Sequence, residues 1–70
     1  MLTIYLKNGN YISVTSFKRV IYETNGTRKE KTPDSLSELS IGDAVTYNFE
    51  GSTKISIRGS EILYVELESN

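Results

Sequence analysis

The feature that most constrains this chain is a two-residue alternation of apolar and polar side chains, broken by glycine-bearing turns. Leu2, Ile4 and Leu6 share one face of a strand, with Thr3, Tyr5 and Lys7 on the other; Val45, Tyr47 and Phe49 repeat the pattern. Successive side chains of a strand point to opposite faces, so a period of two means extended chain with one buried face, whereas a helix needs a period near 3.6. Asn8-Gly9 follows the first run, and both residues tolerate the positive φ of a tight type I′ hairpin turn. The sequence therefore predicts a first hairpin whose return strand is NYISVTSF.

Further strands are predicted at RVIYE, AVTYNF, KISIR and EILYVEL, with a bend at Phe17 and Lys18 before the third. Ile41-Gly42-Asp43, Glu50-Gly51-Ser52 and Arg58-Gly59-Ser60 mark turns, since glycine supplies unusual φ and Asp or Ser can bond nearby backbone. Between Thr24 and Asp34 the chain is polar throughout and reads as a mobile loop or, with Asn25-Gly26 at its tip, as a second hairpin with frayed flanks. One helical turn is predicted over 35–39, where Ser35 and Glu38 have capping-box spacing and Asp34 is a second candidate cap. No long helix is predicted that could cross a parallel sheet, so the neighbours are expected to be antiparallel. The expected fold is a single all-β domain over 1–70, a small antiparallel barrel or sandwich of about six short strands, because closure or stacking hides one sheet face and its edges. The expected core is Leu2, Ile4, Leu6, Ile12, Val14, Val20, Val45, Phe49, Ile55, Ile57, Leu63, Val65 and Leu67.

Composition narrows the function. Cysteine and histidine are both absent, which removes disulfides, thiolate metal sites and histidine acid–base chemistry. No serine sits in a G-x-S-x-G turn and no phosphate-cradling glycine loop occurs. Glu23, Asp43, Glu50 and Glu61 could form a carboxylate pair, but no spacing selects one. A chain this short is also expected to leave little room for a pocket of about 300 Å3 or more. A non-enzymatic protein without cofactor or metal is the reading these facts favour. No apolar run approaches the roughly 20 residues of a membrane span. The opening residues lack the basic-then-apolar pattern of a secretion signal, so a cytoplasmic location is expected. The net charge of −1 argues against a strongly electrostatic nucleic-acid binder.

Two sets of residues stand out as candidate partner contacts. Tyr5, Tyr11 and Tyr64 fall opposite the core face of their strands, and tyrosine combines apolar area with a wet hydroxyl, as interfaces require. Arg28 and Lys29 lie in the one basic cluster, Arg28-Lys29-Glu30-Lys31, which Lys18 and Arg19 would extend if they lay nearby. Arg58 occupies the turn between the last two strands.

The stretch ISIRGSEILYVEL, with Ile57, Arg58 and Gly59, resembles the second conserved block of Sm-like RNA-binding proteins, and LTIYLKNG is similar to the start of their first block. The resemblance implies that Arg58 contacts a nucleotide and that the last strand lies at a subunit interface. It covers roughly 20 residues at the two ends; where the family has an Asp and, four residues on, an Asn, this chain has Lys18 and Tyr22. Over most of its length, with IYLKNG near the start and EILYVEL near the end, the chain resembles small uncharacterised proteins of phages and prophages of Gram-positive bacteria. That likeness implies a small cytoplasmic accessory protein. Two functions are therefore expected to compete: a module that binds itself or a protein partner through a tyrosine-bearing face or strand edge, and a small-barrel binder of RNA or single-stranded DNA. Inhibition of a host enzyme is a more distant third.

Overall fold

In the computed structural model, which describes residues 1–68, seven strands form two antiparallel sheets. The strands are β1 (Leu2–Leu6), β2 (Tyr11–Val14), β3 (Arg19–Thr24), β4 (Thr27–Lys31), β5 (Thr46–Glu50), β6 (Lys54–Arg58) and β7 (Ile62–Leu67). The first sheet has the order β2-β1-β7 and the second β4-β3-β5-β6. The fold is thus a small all-β sandwich; of the two expected forms the closed barrel is not found. Its radius of gyration is 11.2 Å, close to the roughly 11 Å of a compact chain of this length. No helix among the described residues is long and apolar enough to cross a membrane.

The first hairpin forms where Asn8-Gly9 predicts it, by a different turn. Only Gly9 has positive φ, at +94°. The Gly9 N–H donates to the Leu6 carbonyl at 3.1 Å, the Leu6 N–H donates to the Asn10 carbonyl at 2.9 Å, and the Asn8 side chain accepts from the Asn10 N–H at 2.9 Å. This is a type I turn closed by a left-handed glycine, not the expected type I′ pair. The turn with positive φ at both central residues lies instead at Asn25 (51°) and Gly26 (76°), joining β3 to β4. The polar stretch after Thr24 is therefore half of a hairpin rather than a loop. Backbone pairing from Val20–Lys31 to Thr24–Thr27 does not require apolar side chains, which is why alternation does not mark β4.

The helical turn is a 3-10 segment, Pro33–Glu38. It is capped from Thr32, whose N–H donates to Ser35 Oγ at 2.9 Å, and not by the expected Ser35–Glu38 box or by Asp34. A second 3-10 turn, Gly59–Glu61, links β6 to β7.

The core joins the inner faces of both sheets: Leu2, Ile4, Val14, Phe17, Val20, Tyr22, Tyr47, Phe49 and Ile62. Leu6, Ile12, Val45, Ile55, Ile57 and Val65 pack around it, partly buried. Phe17 closes one side against Phe49, with ring centroids 6.4 Å apart, and Tyr22 packs on Tyr47 at 5.1 Å. Leu63 departs from expectation at 58% exposure. The cause is a bulge in the β1–β7 pairing: Tyr5 faces Tyr64 but Leu6 faces Ile62, so Leu63 has no partner and Ile62 takes the inward position. Leu67 also remains exposed, near the end of the edge strand.

Candidate functional site

The outward positions of the first sheet bring the three predicted tyrosines into one row. β1 pairs Tyr5 with Tyr11 on one side and with Tyr64 on the other. The Tyr5 and Tyr64 rings stack with centroids 4.5 Å apart and 25° between planes; Tyr5 and Tyr11 are tilted at 6.3 Å. Directly opposed residues on adjacent strands bring their side chains within contact, and aromatic pairs of this geometry contribute about 0.5–1.5 kcal/mol beyond their buried area. The stacking still leaves Tyr11 66% and Tyr64 50% exposed, so two ring surfaces face solvent. Each lies on a strand tied to the core, β2 through Val14 and β7 through Ile62, with Leu2 and Ile4 of β1 buried between them.

The row is acidic in character. Glu66, one alternation beyond Tyr64 on β7, lies with Oε1 3.4 Å from the Tyr5 hydroxyl, a long hydrogen bond. The Glu66 carboxylate, assisted by desolvation and by Tyr64 and Glu68, raises the Tyr5 pKa above its ordinary value of 10.0. A negative charge near a phenol disfavours the phenolate.

The predicted basic residues lie elsewhere. Register and alternation put Arg19, Arg28 and Arg58 on the outer face of the second sheet, together with Lys54 and with Glu23, Glu30 and Glu50. There Arg19 bridges Glu50 at 3.3 Å and Glu30 at 3.9 Å. Lys29 shares the other face of β4 with Lys31, and Lys18 is exposed in the bend before β3. Tyr5, Tyr11 and Tyr64 thus belong to one sheet and Arg19, Arg28 and Arg58 to the other.

The Arg58-Gly59-Ser60 turn has a structural task. Gly59 is buried, its N–H donates to the Val45 carbonyl at 2.7 Å, and a Cβ at this position would collide with the Gly42 carbonyl. Glycine is required there for close approach of two backbones.

Two surface features escape a reading based on alternation. An open groove of about 500 Å3 runs between β7 and the segment after β4, lined by Leu36, Leu39, Ile41, Leu63, Val65 and Leu67. It exceeds the volume expected of so short a chain. Glu66 is the second: alternation places it on the tyrosine face, but only the cross-strand register sets it beside Tyr5.

Comparison of the chain with protein-family models, curated proteins and solved structures gives no match.

Proposed function

We propose that this protein is a non-enzymatic interaction module, a phage or prophage accessory protein of the cytoplasm, that binds itself or a protein partner through the outer face of the β2-β1-β7 sheet. The observation that carries the reading is the Tyr11–Tyr5–Tyr64 row, whose two outer rings remain half exposed or more although they lie on a rigid, core-anchored sheet. Interfaces concentrate binding energy in such aromatic side chains, which lose little conformational freedom when covered. β7 is also an edge strand; its exposed Leu63 and Leu67 line the groove on the side away from the tyrosine row. The phage origin rests on the resemblance of the opening and closing strands alone.

The alternative, binding of RNA or single-stranded DNA, draws on Arg19, Arg28 and Arg58 sharing the outer face of the second sheet. With Lys54 that face carries four cations, but three carboxylates, Glu23, Glu30 and Glu50, leave little net charge, and no basic residue occupies the outward strand positions of the tyrosine face.

Light scattering over a wide concentration range tests self-association, and crosslinking in cells of the source bacterium tests a partner. Association should be lost in the Tyr11→Ser/Tyr64→Ser variant while its circular dichroism stays that of the parent. A strict monomer at high concentration that also crosslinks to no protein would sink the proposal. Gel shifts at low salt that weaken steeply as salt rises would favour the nucleic-acid reading.

A further inference from the structure

The tyrosine row carries information about the charge of what covers it. The outward strand positions of the first sheet are Thr3 and Tyr5 on β1, Tyr11 and Ser13 on β2, and Tyr64 and Glu66 on β7. The charged side chain among them is a carboxylate, and Glu68 follows just beyond β7. Neither Glu66 nor Glu68 forms an ion pair among the described residues. Lys7, the nearest lysine along β1, lies in the hairpin turn and pairs with Asp43 at 3.8 Å. Exposed aromatic faces attract cations through the negative potential above the ring, and a neighbouring carboxylate adds to that attraction. A phosphate would meet the opposite sign.

We infer that the Tyr5–Tyr11–Tyr64 row and Glu66 receive an arginine side chain presented by a basic segment of a partner protein. This rests on the proposed role of the tyrosine face as an interface and names its occupant. The guanidinium plane stacks on an exposed ring while its N–H groups reach the Glu66 carboxylate. Arginine suits the site better than lysine because a planar, weakly hydrated cation can stack and hydrogen-bond at once. The carboxylate is 3.4 Å from the Tyr5 hydroxyl, and the Tyr5 ring stacks on Tyr64 at 4.5 Å, so the anion adjoins the exposed Tyr64 ring.

The test is a titration of the intact protein with a short Arg-Gly repeat peptide at low salt, followed through the tyrosine ring signals by NMR. Lys-Gly and Glu-Gly peptides and an oligothymidylate serve as comparisons. Saturable shifts at Tyr5, Tyr11 and Tyr64 with the arginine peptide are expected, with weaker binding of the lysine peptide and none of the glutamate peptide. Glu66→Gln and Tyr64→Ser should each weaken the arginine peptide about two- to fivefold. Absence of saturable binding, binding unchanged in both variants, or tighter binding of the oligothymidylate would overturn the inference. So would ring shifts that depend on protein concentration alone and that the peptide does not reverse, which would make a second copy the occupant. If the peptide fails while Tyr11→Ser/Tyr64→Ser still abolishes association or crosslinking, only the identity of the occupant falls; if both fail, the interface reading falls with it.

Discussion

The Tyr47 hydroxyl accepts a hydrogen bond from the Gly42 N–H at 2.8 Å and donates one to the Ser40 carbonyl, also at 2.8 Å. One side chain near the start of β5 thereby fixes the backbone that enters its own strand, and its ring is fully buried against Tyr22. The segment it holds is the one against which Gly59 packs.

Tyr47→Phe removes that hydroxyl and leaves an N–H and a carbonyl without partners in a partly buried site. A loss of about 1–3 kcal/mol in denaturant unfolding is expected. Tyr22→Phe is the control: its hydroxyl makes no hydrogen bond to protein among the described residues, so its removal should change stability by less than about 0.5 kcal/mol.

Gly59→Ala should be among the most damaging single-methyl additions in the chain. The new Cβ meets the Gly42 carbonyl, which is backbone and cannot rotate away. Overpacking of this kind costs about 1–3 kcal/mol or more, so the midpoint of thermal unfolding should fall sharply. Ser60→Ala, one residue on, should leave it nearly unchanged.

Asn25→Val tests the β3–β4 hairpin. Asn25 has φ of 51°, a left-handed conformation that disfavours a β-branched side chain by about 1–2 kcal/mol. Hydrogen-exchange protection of the β4 amides should fall in this variant, while Asn25→Gly should preserve it.

Tyr5 is held protonated chiefly by the Glu66 carboxylate, so its pKa in the folded protein lies above the ordinary 10.0. A raised pKa means the fold favours the neutral phenol. That contribution to stability is complete below pH 10.0 and is lost as pH climbs through the folded value. Glu66→Gln should move the Tyr5 titration back toward 10.0, with Tyr64 and Glu68 still acting on it, and lessen the loss of stability in alkali. Ultraviolet titration of the tyrosinate band, with Tyr5→Phe to assign the step, measures the shift.

Alternation and turn residues were enough to place β1, β2, β3, β5, β6 and β7, the antiparallel arrangement and the outward direction of Tyr5, Tyr11 and Tyr64. Those features depend on neighbours one to four residues away along the chain. β4 was not legible as more than a frayed flank, because TRKEK has no apolar face and forms a strand only by pairing with β3. Alternation puts Leu63 in the core and omits Ile62, whereas the structure buries Ile62, since strict alternation has no means of registering a bulge. Tyr22 and Tyr47, absent from the expected core, are both buried, because tyrosine suits either face.

The sequence by itself determined that this chain is an antiparallel β protein and which tyrosines look out from it, because backbone geometry turns a two-residue period directly into opposite faces. Only the tertiary structure decided that the strands divide into two sheets, that Gly59 yields its space to Gly42, and that the tyrosines lie beside Glu66 while the arginines occupy another face. Those relations join residues far apart in the chain, and they are set by register, a bulge and close packing, which local patterning does not encode.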